Sequence, residues 1–270
     1  MTIGTLLVAI AVALSLVMMG AWSVALRSGR SGWIDAIWSF AIGGAGVVAA
    51  LVPLAPGEPT ARQILVAVLG ATWALRLGWH ITRRTLDGGD DPRYAQLRDE
   101  WGAAFRQRLF LFLQIQAACA FVLAVSMLVA AHNPAPHWRV GDAIGVLLIV
   151  VAIGGEAVSD QQLTRFRRDR TNHGKVCDVG LWGMSRHPNY FFEWLGWLAY
   201  GVIAIGPGYA WGWLALSGPI LMYLLLVHAS GIPPLEAHML RSRGVAFRAY
   251  QARVNAFWPG PQRANRMEPS

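Results

Sequence analysis

The sequence predicts an all-helical integral membrane protein of about seven transmembrane helices, and three observations carry that expectation. Hydrophobic residues make up 55% of the 270, charged residues 14%, and the mean hydropathy is +0.40, a balance foreign to water-soluble domains of this length. Apolar runs near the roughly 20 residues that a helix needs to cross about 30 Å of hydrocarbon recur along the whole chain. Basic residues crowd into alternate loops between those runs, as the positive-inside rule requires of a chain that crosses repeatedly.

In order, the runs lie at about 3–26, 33–54, 62–82, 109–131, 140–160, 188–206 and 209–230, with a tail over 231–270. The first lacks a basic flank before it and outruns the apolar stretch of a secretory signal, so it reads as a retained helix. Pro53, Pro56 and Pro59 break the chain after the second run, and Asn133, Pro134 and Pro136 break it after the fourth. Gly206-Pro207-Gly208 turns it between the last two. With no linker in sight, the chain reads as a single transmembrane domain.

The connections on the other side are longer and patterned. Gly88-Gly89-Asp90-Asp91-Pro92 reads as a turn, and Arg93 to Arg108 as a basic amphipathic helix whose Tyr94, Leu97, Trp101 and Phe105 recur at helical spacing. Such a face suits the bilayer interface, as an anchor or as a lid over a site. The segment from Leu235 to Tyr250 has the same character. Of the 23 Lys and Arg residues, 20 fall in this set of loops and the tail, which places them in the cytoplasm and the N-terminus outside. The formal charge of +8 is therefore a topological signal, and it does not form the groove of a nucleic-acid-binding module.

Ionisable and amide groups inside spans are costly and mark function by default. Here Asp35, His80, Gln114, Gln116, Glu156, Asp160, Glu193 and His228 all fall in the cytoplasmic half of their runs. That distribution predicts a blind polar cavity open to the cytoplasm, suited to an enzyme or a sterol-type binding protein. A channel or transporter would need polar groups in the outer half as well. Gly44-Ala45-Gly46-Val47-Val48-Ala49 fits a loose dinucleotide fingerprint, but with no strand before it the better expectation is close helix packing.

The most specific string is Gly180-Leu181-Trp182-Gly183-Met184-Ser185-Arg186-His187-Pro188-Asn189-Tyr190-Phe191-Phe192-Glu193. Pro188 suits the first turn of a helix, where its missing N–H costs nothing. Arg186, His187 and Asn189 then surround the positive helix end as a candidate anion site. The string resembles the signature of the membrane steroid 5α-reductase family and its bacterial relatives of the DUF1295 type. The wider superfamily includes sterol reductases and isoprenylcysteine carboxyl methyltransferases. The strings SGWIDAIW, RLGWHITRR, DPRYAQLRDEWG, EAVSDQQLTRFR and PPLEAHMLRSRGVAFRAYQARV match in order, so the likeness runs from about residue 31 to 258.

That resemblance implies a reductase holding NADPH in a cytoplasm-facing cavity and acting on a steroid or another apolar enone lipid taken from the membrane. Asn189 and Glu193, with Tyr190 between them, match cofactor-contacting positions; Glu156 and Asp160 match a pair on the ribose or adenine side. Arg83 matches a cofactor-binding Arg, Arg93 and Arg167 are further phosphate partners, Arg186 and His187 flank the helix start, and Glu236 matches a position that closes the cofactor site. Asp35 and His80 stand nearest the Glu and Tyr with which the mammalian enzymes polarise the steroid ketone. The alternatives are an S-adenosylmethionine-dependent methyltransferase, which shares the Arg-His-Pro start, and a non-enzymatic sterol-binding protein. Arg outnumbers Lys 22 to 1, a GC-rich bias that points to a bacterial inner membrane.

Overall fold

A computed structural model of the chain describes residues 2–54, 56–88 and 92–263, the side chain of Pro92 excepted. The turn expected over Gly88–Pro92 falls largely on residues 89–91, outside the described residues, and so does the tail from 264 to 270. Among the described residues every regular element is helical: α1 (Ile3–Ser28), α2 (Gly32–Leu51), α3 (Ala61–Leu86), α4 (Pro92–Trp101), α5 (Phe105–Ala131), α6 (Val140–Arg168), α7 (Pro188–Ala204), α8 (Ser217–Tyr223) and α9 (Ile232–Arg253). A π-helical turn, Leu224–Ala229, joins the last two.

Among the described residues, six stretches are long and apolar enough to cross a bilayer: Ile3–Ser28, Gly32–Leu51, Ala61–Leu86, Arg93–Ala131, Val140–Arg168 and Ala210–Arg253. The membrane class follows from these. The remaining expected span corresponds to α7, whose 17 residues rise about 25 Å at 1.5 Å per residue, short of a hydrocarbon core of about 30 Å. Local chemistry sets several helix ends. Thr60 and Gln63 open α3 with a reciprocal capping box, and Gly29, at φ 67°, closes α1 in the left-handed conformation that glycine adopts freely.

The chain forms two compact units, one comprising the residues up to Leu147 with Leu198–Leu221, the other Leu148–Trp197 with the residues from Met222 onward. In the first, α2 packs on α3 and α5 through small residues. A Cβ on Gly43 would lie 2.1 Å from Ala74 Cβ, and one on Gly46 would lie 2.0 Å from Met127 Sδ. The loose glycine fingerprint on α2 is thus a close-packed helix face, as expected. Away from that face, Arg62 is only 5% exposed. Its guanidinium pairs with both oxygens of Asp142 at 2.9 Å and donates to the carbonyls of Asn133, Ala135 and His137. The sequence suggests only a loop cation there; the structure makes it the knot that gathers the α5–α6 connection.

In the second unit, Phe247, Tyr250 and Val254 of α9 and the residues just after it form a small core with Val176, Met239 and Leu240. Phe191, Trp194, Tyr223, Phe257 and Trp258 interlock edge to face nearby, with centroid separations from 5.1 to 6.3 Å. Gly244, at φ 48°, interrupts α9 where other residues would be strained. Cys119 and Cys177 are free thiols.

Candidate functional site

Each unit builds a polar constellation around a carboxylate at a candidate position. In the first, Asp35 sits in the opening turn of α2, where the positive helix end favours a carboxylate. Arg93 Nη2 pairs with its Oδ2 at 2.5 Å, and the Tyr94 hydroxyl donates to Oδ1 at 3.1 Å. Both partners come from α4, so the basic amphipathic helix expected after the third span docks onto an acid. Gln116 Nε2 of α5 donates to the Tyr94 oxygen at 3.3 Å, and Trp38 Nε1 donates to the Gln116 carbonyl at 3.0 Å. Tyr94 is buried, with its ring edge-on to Phe112. Its role on Asp35 is the residue-level contact that sequence reasoning missed; the α4 amphipathic pattern was the available signal. His80 is half-buried near the end of α3, and Arg83, exposed one turn beyond, lies over the Trp79 ring at 5.0 Å.

The second unit contains the long specific string, and most of that string is pinned. Gly180 takes φ 58° against Gln162, whose Oε1 accepts from Leu181 N. Trp182 Nε1 donates to the Ser159 carbonyl at 2.9 Å, and the Tyr250 hydroxyl donates to the Trp182 carbonyl. Arg186 N donates to Asn255 O, Ser185 Oγ to Phe257 O, and Gly260 N to Met184 O. The segment is thereby stitched to the end of α6 and to the chain beyond α9. A Cβ on Gly183 would lie 2.8 Å from Asp178 O, which accounts for the second glycine.

At the centre of this lies Glu236 of α9. Its Oε1 accepts from Arg186 Nε at 2.7 Å and His187 Nε2 at 3.0 Å; its Oε2 accepts from Arg186 Nη2 at 3.1 Å and Gln251 Nε2 at 2.7 Å. Arg186 Nη1 donates to the carbonyls of Gln251 and Val254. Burial alone would push the Glu236 carboxyl up, but hydrogen bonds from His187 and Arg186 outweigh it and hold it at about 2. The same burial pushes His187 below its ordinary value, because an imidazolium there would lose its hydration. The donors of Arg186 and His187 thus point inward at one carboxylate, with His187 stacked on Tyr190 at 5.4 Å and 13°.

Gln114, on α5, accepts from Ser15 Oγ at 2.6 Å, and His228 lies in the π-helical turn; the remaining residues singled out in the sequence occupy α6 and α7. Glu156 and Glu193 are 5% and 6% exposed, and Glu193 Oε1 accepts from Trp197 Nε1 at 2.9 Å. Gly155, beside Glu156, leaves room for the ring of Phe192, beside Glu193; a Cβ there would lie 2.3 Å from that ring. The absent side chain therefore brings the two glutamate-bearing helix segments close together. Asp160, one turn after Glu156, and Asn189, in the first turn of α7, are half-buried, and Arg167 is exposed at the end of α6.

A family model described as "Protein of unknown function (DUF1295)" matches residues 21–254. The chain belongs to the DUF1295 family. The chain is also similar to an uncharacterised protein of Schizosaccharomyces pombe, C594.04c, at 23% identity over 271 residues, an alignment covering 88% of this chain and 75% of the relative. The matched range takes in residues of both units and every candidate site residue named above, so Asp35 and Glu236 both lie inside it.

Proposed function

We propose that this protein is an NADPH-dependent membrane reductase that saturates the carbon–carbon double bond of an enone lipid, most suitably a 3-oxo-Δ4-steroid. Seven spans, an outer N-terminus and a site facing the cytoplasm of a bacterial inner membrane complete the reading. The observation that carries it is the burial of Glu156 and Glu193 on closely packed helices, at positions that resemble cofactor contacts in the steroid 5α-reductase family. Buried acids in apolar helices are functional by default. The residues of the second unit suit a dinucleotide: exposed Arg167 for a phosphate, buried acids for ribose hydroxyls, and a buried unpartnered imidazole nitrogen on His187.

When bound, NADPH would supply the hydride for the β-carbon of the enone, and a proton taken up from solvent at the α-carbon would complete the saturation. The chain's own residues do the rest. His80 donates a hydrogen bond to the ketone oxygen, where enolate charge develops, and Asp35, held by Arg93 and Tyr94, supports that polarisation electrostatically. The apolar helices exclude water from a flat lipid substrate.

Purified protein in detergent is expected to consume NADPH only when progesterone or testosterone is added. Binding of S-adenosylmethionine in preference to NADPH would instead identify a methyltransferase. The His80→Phe variant should retain NADPH binding and lose turnover by about 10²-fold or more; unchanged turnover removes His80 from the mechanism.

A further inference from the structure

The first turn of α7 reads from the sequence as a phosphate site, with Arg186 and His187 as donors. Its hydrogen bonds describe a different surface. Pro188 has no N–H, and the amides of Tyr190 and Phe191 both reach the His187 carbonyl, at 3.1 and 3.2 Å. Arg186 is engaged by Glu236, Gln251 and Val254. Few donors face outward at this helix start, so its attraction for an anion is weak.

His187 then decides what the site can take. Glu236 accepts from Arg186 on both oxygens and from Gln251 on one. A carboxylate in that state has only lone pairs to offer, so the 3.0 Å contact with His187 requires the proton to be on Nε2. In a neutral ring so anchored, Nδ1 carries a lone pair. A second proton there is opposed by the neighbouring Arg186 charge and by enclosure, since His187 is 4% exposed. Nδ1 itself is buried and has no hydrogen-bond partner. Stacking on Tyr190 and the bond to Glu236 fix the ring, so Nδ1 cannot turn to find one elsewhere.

We propose that His187 Nδ1 is a ligand-binding acceptor that takes an uncharged hydrogen-bond donor, a sugar hydroxyl or a carboxamide N–H, and not a phosphate. This rests on the NADPH reading and names the part of the cofactor that meets α7. A phosphate oxygen brought to a bare imidazole nitrogen sets lone pair against lone pair, whereas a hydroxyl or amide satisfies an atom that the fold leaves unmatched.

The discriminating variant is His187→Gln. Its side-chain amide reaches the Nε2 position and preserves the bond to Glu236, but it offers no acceptor where Nδ1 stood. With NADPH titrated against intrinsic Trp fluorescence in detergent, His187→Gln is expected to unfold at the wild-type temperature and bind roughly tenfold more weakly. Equal affinity in the two proteins overturns the inference while leaving the reductase reading in place. Wild-type protein that binds no NADPH overturns both. In the wild type labelled with ¹⁵N-histidine, NADPH should move the Nδ1 resonance of His187 in the direction of hydrogen-bond acceptance. An unmoved resonance in protein saturated with NADPH overturns the inference even if the variant fails to fold.

Discussion

Asp35 and Glu236 are both carboxylates gripped by an arginine, yet the two grips are built differently. Glu236 receives four side-chain donors from Arg186, His187 and Gln251, and its ion pair with Arg186 is 12% and 11% exposed. Among the described residues Asp35 receives two, both from the ten-residue helix α4, and its pair with Arg93 is 15% and 26% exposed. The first acid is enclosed by what it binds; the second is covered by a short helix whose Arg98, Asp99 and Glu100 are exposed. The difference teaches that an acid in a membrane protein need not be chemical, and that the count and origin of its donors separate a clamp from a working group.

Removing Glu236 tests the clamp most severely. Glu236→Ala leaves Arg186 without its counter-charge in an enclosed setting, and a loss of about 3–5 kcal/mol is expected, read as a lowered unfolding temperature in detergent. Acid should act on the same place with a smaller effect. Glu236 is held at about 2, below its usual 4.5, so its stabilisation is complete above about 4.5 and fades as pH falls toward 2. His187 is also held below its ordinary 6.5, so its share begins to fade as pH drops below that value. Wild-type unfolding temperature should therefore fall with pH below about 6.5, and Glu236→Gln should flatten the acid limb. Asp35→Asn should show the smallest effect on folding, within about 1 kcal/mol, while abolishing enone-dependent NADPH consumption. If Asp35→Asn unfolds as readily as Glu236→Ala, the distinction between the two acids collapses.

The helices themselves were legible because a membrane span has a length fixed by the bilayer and a composition fixed by the absence of water. The positions of Asp35, Glu156 and Glu193 were legible for the same reason: an acid in such a run stands out. What lay beyond reading was pairing. Arg186 meets Glu236 fifty residues away, and no spacing in the string from Gly180 to Glu193 says that its arginine and histidine point at α9 and away from an anion. Tyr94 was visible as one member of an amphipathic face, but its hydroxyl on Asp35 depends on how α4 docks. The shortness of α7 was equally hidden, because the apolar run continues to residue 206 while the helix stops at Ala204.

Arg62 adds a constraint in time. Its partner Asp142 lies 80 residues downstream, and at a synthesis rate of roughly 5–20 residues per second the ribosome needs about 4–16 s to make that stretch. For most of that interval the arginine at the head of α3 has neither its carboxylate nor the three loop carbonyls, which follow it by 71, 73 and 75 residues. That end of α3 must wait near water or lipid headgroups, and it locks into place only when α6 begins to emerge.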